Sequence, residues 1–324
     1  MRRAARSSLN SLALAIVQER SSPSKTFSSF TLELYVRPEG ASAPGLAFKA
    51  REIEELADVH FFRPLGMLLA RLARALRLSP TQVTLAGAVV GMAGGALLYT
   101  PRFGLAAFAL LILHGILDSS DGQLARMTGR VTELGRLLDG VGGYLTHIAI
   151  YVALIAGVLN RGGSVTILVW ALAAGLANVV HAQLYDYHRT AYARTVIKGR
   201  TGVAADLRPT GRFAASIIRV YEGIQSSLAG AHPLVERTIA ARSLDGVVRD
   251  ADRERYRTCF YWPVRGWNLF GDNTRFYAIG VLAWLQRPEW FFAFLLLPMN
   301  AALAIVWVWQ LRADRRFLGS GVIN

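Results

Sequence analysis

Three aspartates in the middle of the chain stand at helical intervals and are accompanied by glycines. Asp118, Asp121 and Gly122 share one face of a helix, because residues three or four apart are neighbours there. Gly135 and Asp139 likewise share a face of the segment that follows. Together, the two faces would place three carboxylates over a floor of small residues. Such oxygen-only ligands favour Mg²⁺ or Mn²⁺, which commonly bridge carboxylates to substrate phosphates.

Two further residues extend this pattern toward a phosphorylated substrate. Ala125 lies one turn beyond Asp121 and would let a nucleotide approach the backbone, and Arg126 could pair with a phosphate at the border of the site. A single Asp at the edge of an apolar run is usually a helix cap, and Asp121-Gly122 alone could be a turn. Three aspartates, spaced glycines and an Ala-Arg pair in one register favour the functional interpretation.

The composition indicates what kind of protein positions these residues. Hydrophobic residues make up 53% and charged residues 18% of the 324 residues, with a mean hydropathy of +0.32. These values exclude disorder, collagen and a disulfide-rich secreted scaffold, and Cys259 is the only cysteine. The net charge of +14 suits anionic headgroups. Nucleic-acid binding is excluded, because the arginines lie beside apolar runs rather than in one basic domain.

The apolar runs predict an all-α integral membrane protein with six transmembrane helices. Gly87, Gly91 and Gly95 stand four apart in the first span, so another helix can approach it closely. Residues 1–22 resemble a transit peptide in composition, but we prefer a polar tail. The predicted order is a polar N-terminal tail (1–50), an amphipathic juxtamembrane interfacial helix (51–79), spans at 83–99, 105–117, 141–159 and 165–184 within region 80–185, a cytoplasmic basic loop (186–275), spans at 276–285 and 290–311 within region 276–312, and a C-terminal tail (313–324).

The distribution of arginine predicts the orientation in the membrane. The turns after the first, third and fifth spans carry one arginine each, Arg102, Arg161 and Arg287, whereas the opposite side is rich in arginine. By the positive-inside rule, both termini and the motif at 118–143 face the cytoplasm. We expect a multi-pass protein of the inner (plasma) membrane of a bacterium.

The central motif resembles that of the CDP-alcohol phosphotransferase (CDP-alcohol phosphatidyltransferase) family, D-x-x-D-G-x-x-A-R-x(8)-G-x-x-x-D-x-x-x-D. The chain matches every fixed position except the last, and the resemblance extends over about residues 60–185 and more loosely over 260–312. It implies a six-span homodimer among membrane lipids. Its activity would move a phosphatidyl or other substituted phosphoryl group from a CDP-linked lipid donor, such as CDP-diacylglycerol, to an alcohol acceptor in phospholipid biosynthesis, with release of CMP.

The resemblance also implies roles for individual residues. Divalent ions, Mg²⁺ or Mn²⁺, would sit among the aspartates. The implied metal ligands are Asp118, Asp121 and Asp139; the implied substrate-binding residues are Gly122, Ala125, Arg126 and Gly135, together with Thr84 near the nucleotide and Thr81 where the family usually has Asn.

Gly143 stands where the family has its fourth aspartate, which is thought to deprotonate the acceptor hydroxyl. His147, one helical turn further on the same face, is a candidate substitute base, although a single His in a span is more often a packed residue. Alternatively, the acceptor needs no base here, or the protein binds nucleotide or lipid without turnover. A transporter or structural protein is the rival from another class, but a transporter would place charges deep within several spans. The stretch Asp272-Asn273-Thr274 before the fifth span is interpreted as a helix N-cap.

Overall fold

The computed structural model describes residues 51–201, 223 and 227–319. The predicted polar tail at 1–50, part of the predicted basic loop and the last five residues of the predicted C-terminal tail lie outside them. The described residues form helices and two isolated β-bridges, which confirms the all-α prediction for this part of the chain.

Ten α-helices follow one another along the described residues. Their bounds are α1 Arg63–Ala75, α2 Pro80–Leu97, α3 Gly104–Thr128, α4 Glu133–Asn160, α5 Ile167–Tyr192, α6 His232–Arg242, α7 Asp250–Trp267, α8 Asp272–Trp284, α9 Phe291–Leu296 and α10 Pro298–Gly319. Short 3₁₀-helices occupy Arg51–Ile53, Pro101–Phe103, Asn268–Phe270 and Pro288–Trp290, and π-helical turns occupy Asp58–Phe62 and Ala193–Ile197.

Four of the described helical segments are long and apolar enough to cross a membrane. They are Pro101–Thr128, Leu137–Asn160, Ile167–Ile197 and Pro288–Gly319. They contain the second, third and sixth predicted spans and all but the first two residues of the fourth. The helices at the first and fifth predicted spans, α2 and α8, are not among the four.

Helix α2 packs most extensively against α3 and α4, and its glycines make this possible. A Cβ atom at Gly91 would lie 2.2 Å from the Thr146 hydroxyl oxygen, and one at Gly95 would lie 2.8 Å from the Ile150 backbone nitrogen. The close helix approach predicted from the glycine spacing is therefore confirmed. Helix α2 begins with a capping box, in which Ser79 and Gln82 satisfy each other's backbone N–H groups.

The segment at 186–275, predicted as a loop, is largely helical where the structure describes it. Its helices α6 and α7 pack with the end of α5 and with α10 around buried apolar residues such as Val235 and Phe260. His232 joins these elements, because its Nδ1 lies 2.7 Å from Asp314 and its Nε2 lies 2.7 Å from the Tyr256 hydroxyl. Buried aromatic residues spread along a polar sequence gave no continuous apolar run, so hydropathy alone did not predict this packing.

The structure divides two other predicted elements. The predicted interfacial helix at 51–79 consists of a 3₁₀-helix, a π-helical turn and α1. Leu68 and Leu72 on α1 and Leu76 directly after it remain exposed. The last predicted span is interrupted between α9 and α10, because Pro298 has no backbone N–H to continue the hydrogen-bond ladder.

Candidate active site

Helices α2, α3 and α4 surround a cavity with an empty volume of about 190 Å³, including its opening to solvent. All three aspartates of the motif lie in its wall. The lining consists of Thr84, Gly87, Ala88, His114, Asp118, Asp121, Asp139, Gly142 and Gly143. Helix α3 continues without a break from its apolar part into the motif. Its carboxylates, Asp118 and Asp121, therefore lie toward the end of a candidate membrane span.

Two of the three aspartates contact each other, and the third contacts Thr84. The Asp118 and Asp139 carboxyl groups are within hydrogen-bonding reach of each other. Asp121 is only 6% exposed, and its Oδ2 lies 2.6 Å from the Thr84 hydroxyl, which donates to it. Two carboxylates in contact repel each other unless a proton or a cation lies between them.

This donor chemistry fits a hard divalent cation. Carboxylate oxygens are the ligands that Mg²⁺ and Mn²⁺ prefer, and the contact between Asp118 and Asp139 calls for positive charge. The described residues nevertheless contain no group of three or more His, Cys, Asp or Glu side chains that could hold a metal ion as they stand. Binding would therefore need water or substrate oxygens and small side-chain adjustments in addition to the carboxylates.

The predicted substrate-binding residues lie at different distances from this cavity. Arg126 acts electrostatically on Asp121, and a Cβ atom at Gly122 would lie 3.3 Å from the Arg126 Nη1. Ala125 and Thr81 are half-buried and, with Arg126, fall outside the described cavity lining. Gly135 lies in the first turn of α4, where its N–H donates to the Thr132 hydroxyl at 3.0 Å. Its observed contact is thus part of a helix cap.

Gly143 leaves open space where the family motif has its fourth aspartate. A Cβ atom at Gly143 would meet no heavy atom within 4 Å. His147 is not one of the residues that line the cavity. Its Nδ1 lies 3.0 Å from the Gly143 carbonyl oxygen, and its ring is stacked on Phe276. Since a carbonyl oxygen only accepts, this contact assigns the proton to Nδ1 and leaves Nε2 as the basic nitrogen.

Asp272 and Arg275 were not predicted to belong to the site. Gly271 is the N-cap of α8, and Asp272 is its first residue, so the N-cap interpretation of Asp272 was wrong. Asp272 Oδ1 lies 3.7 Å from His147 Nε2 and 2.5 Å from Arg275 Nη1.

The available signal for Asp272 was weak. An acidic residue at the start of an apolar helix has an adequate local explanation as a favourable charge at the helix N-terminus. Only the tertiary contact with His147, between two helices far apart in sequence, connects Asp272 with a predicted site residue.

Comparison with known proteins finds one family. Residues 77–222 match the family model described as CDP-alcohol phosphatidyltransferase. The matched stretch contains Thr84, the three aspartates and His147, whereas Asp272 and Arg275 lie outside it. No curated protein and no solved structure matches the chain.

Proposed function

Because residues 77–222 carry a CDP-alcohol phosphatidyltransferase domain, we propose that this chain is a membrane phosphotransferase with a CDP-linked lipid donor, such as CDP-diacylglycerol, and an alcohol acceptor. The substituted phosphoryl group moves to the alcohol, and CMP is released. The observation that supports this proposal best is that Asp118, Asp121 and Asp139 line one cavity.

The three aspartates are the proposed ligands of Mg²⁺ or Mn²⁺, which when bound would neutralise and polarise the donor's phosphates. Asp118 and Asp139 would act as a pair, given their contact. The hydroxyl of Thr84 holds the Asp121 carboxylate in place from α2. A fixed carboxylate loses less freedom when it binds its ligand, so Thr84 would support binding without touching the ligand.

Arg126 and the small residues around it would take up the nucleotide part of the donor. Gly122 and Ala125 have small side chains and leave space on the surface of α3 beside the Arg126 guanidinium, which can pair with a phosphate. Gly135 and Thr81 belong to the same proposed binding surface by their positions in the motif and its lead-in. The structure gives Gly135 a helix-capping contact as well.

His147 is the proposed base in place of the missing aspartate at Gly143. The acceptor O–H bond breaks as its proton passes to His147 Nε2, and the freed oxygen forms a bond to the lipid-bearing phosphorus. The bond from that phosphorus to the oxygen of CMP breaks, and CMP leaves with the electron pair. The proton then passes from His147 to water, which restores the base.

The finer architecture is also part of the proposal. We infer six membrane crossings, with α2 and α8 completing the four longer segments, and a cavity that opens toward the cytoplasm. A homodimer in the inner membrane of a bacterium is the proposed assembly and location. Apolar residues such as Ile148 and Val152 are exposed on α4 and would face lipid or the second copy.

The test is release of CMP by the purified protein. CDP-diacylglycerol and Mn²⁺ are incubated with a panel of alcohols, namely glycerol phosphate, inositol phosphate, serine, choline and a lipid hydroxyl. We expect CMP with at least one acceptor and none from Asp118→Asn. Tight binding of CDP-diacylglycerol without CMP release would instead favour the alternative of a degenerate member that binds without turnover. Neither binding nor release would favour a transporter or structural protein.

A further inference from the structure

Asp272 is a carboxylate next to His147 that the family motif does not supply. Its Oδ1 lies 3.7 Å from His147 Nε2, on the side of the ring opposite the Gly143 carbonyl. At this distance no hydrogen bond forms, so Nε2 stays available to a substrate hydroxyl. A negative charge so near Nε2 stabilises the ring once it has accepted a proton.

Asp272 is itself held in position. Arg275, one turn along α8 and only 4% exposed, donates to Asp272 Oδ1 at 2.5 Å. Phe276 of the same helix stacks on the His147 ring. Helix α8 thus fixes both the plane of His147 and the charge beside it, while 62% of the Asp272 side chain remains accessible.

We propose that Asp272 is a positioning residue for proton transfer, which acts through His147 by placing a negative charge beside Nε2, so that α8 supplies the charge that the motif lost at Gly143. This inference rests on the proposed function of His147. It differs from the family motif because the negative charge comes from outside residues 77–222 and acts through a histidine.

Other charged and titratable groups line the cavity. His114 and Asp118 come from α3 and Asp139 from α4, and His114 is within electrostatic reach of both His147 and Asp272. The test must therefore separate an effect transmitted through His147 from a general change of charge. A double-mutant cycle makes this separation.

The variants are Asp272→Asn, His147→Gln and the double variant. Asparagine keeps an oxygen that accepts from Arg275, so α8 keeps its anchor. We expect His147→Gln to lower kcat about 100-fold and Asp272→Asn about tenfold, with little change in KM for the donor. The double variant should equal His147→Gln, and Asp272→Glu should restore part of the rate. Multiplying effects in the double variant would overturn the proposal.

A second measurement does not depend on turnover. Nitrogen NMR of protein labelled in its six histidines reports the protonation of His147, assigned by the loss of its signals in His147→Gln. We expect Nδ1 to carry the proton in the neutral ring. At a fixed, mildly acidic pH, Asp272→Asn should shift the His147 signals toward those of the neutral ring.

The matched control is Asp250→Asn, which removes another carboxylate from a first helical turn, at the exposed start of α7. It should leave both the rate and the His147 signals unchanged. Unchanged His147 signals in Asp272→Asn would overturn the proposal. Absence of CMP release from the wild type, with the expected NMR shift present, would count against the proposed function and not against the Asp272–His147 pair.

Discussion

Gly143 leaves room for the side chain that the motif lacks. Because a Cβ atom there meets nothing within 4 Å, Gly143→Asp should fold normally and place a fourth carboxylate in the cavity. We expect the wild type to bind one divalent ion tightly and Gly143→Asp to bind a second, since an anionic ligand is added. Calorimetric titration with Mn²⁺ measures the stoichiometry.

The control for this prediction is Gly140→Asp. Gly140 also has open space around its Cβ position but is not part of the cavity lining. It should bind Mn²⁺ as the wild type does. Two tight ions in the wild type, or equal stoichiometry in the two variants, would contradict the role given to position 143.

Substitution of Thr84 tests whether activity depends on holding the Asp121 carboxylate in a fixed position. Its hydroxyl donates to the buried Asp121 at 2.6 Å, and loss of such a partner costs about 1–3 kcal/mol. Thr84→Val should therefore lower CMP release about tenfold, whereas Thr84→Ser, which keeps the hydroxyl, should stay near the wild type. Equal rates in the two variants would show that this hydrogen bond is dispensable.

At the scale of elements, the glycine face of α2 determines how closely α4 can approach. An added methyl group at Gly95 would lie 2.8 Å from the Ile150 backbone nitrogen, which cannot move aside as a side chain can. Such overpacking costs about 1–3 kcal/mol. Gly95→Ala should therefore lower the thermal unfolding midpoint in detergent.

Gly175→Ala on α5 is the matched control. Its added methyl group would lie 3.7 Å from the Tyr151 ring, an ordinary contact, and alanine favours the helix by up to about 1 kcal/mol. Gly175→Ala should unfold at the same temperature as the wild type or slightly above it. A Gly95→Ala protein as stable as Gly175→Ala would mean that the two helices separate easily.

We expect the contact between α8 and the segment preceding α1 to depend on pH. Burial and, next, the nearby Asp58 raise the pKa of Glu55 from 4.5 to about 7, although Asn273 and Tyr185 donate hydrogen bonds to it. The folded protein thus binds this proton more tightly than the unfolded chain does. The resulting stability is fully present below pH 4.5 and is lost as pH rises to about 7.

Glu55→Gln should remove this dependence, because glutamine stays neutral. The unfolding midpoint of the wild type should fall more between about pH 5 and about pH 8 than that of Glu55→Gln. Glu254→Gln, at an exposed carboxylate on α7, should retain the wild-type dependence. An equal fall in Glu55→Gln and the wild type would contradict the assignment to Glu55.

The sequence predicted the elements whose signals are local. The aspartate spacing on α3 and α4 and the glycine spacing on α2 placed those faces correctly, because helical periodicity alone determines them. The packing of the helices in the 186–275 region escaped prediction, since their core of Tyr256, Phe260 and Val235 is assembled only by tertiary contacts. Asp272 was missed for the same reason, because its significance lies in a contact with His147.

For the whole molecule, the number of crossings depends on α2 and α8. Helix α2 has 18 residues, about 27 Å, and α8 has 13, about 20 Å, against a hydrocarbon core of about 30 Å. Helix α8 begins at the polar Asp272, so it would cross only with the help of its flanking residues or a locally thinner bilayer. An arrangement with six crossings and one with four differ in the side of the membrane on which given surface residues lie.

Cysteine labelling distinguishes these arrangements. In a Cys259→Ser background, single cysteines replace the exposed Arg71, Arg161, Arg287 or Arg315, and intact cells are treated with a membrane-impermeant thiol reagent. With six crossings, positions 161 and 287 lie outside and react, whereas 71 and 315 lie inside and do not. If α2 and α8 did not cross, positions 71, 161 and 315 would share one side and position 287 would lie on the other. We expect the six-crossing pattern, because it alone gathers the arginine-rich surfaces on the cytoplasmic side; reactivity at 315 together with 161 would overturn it.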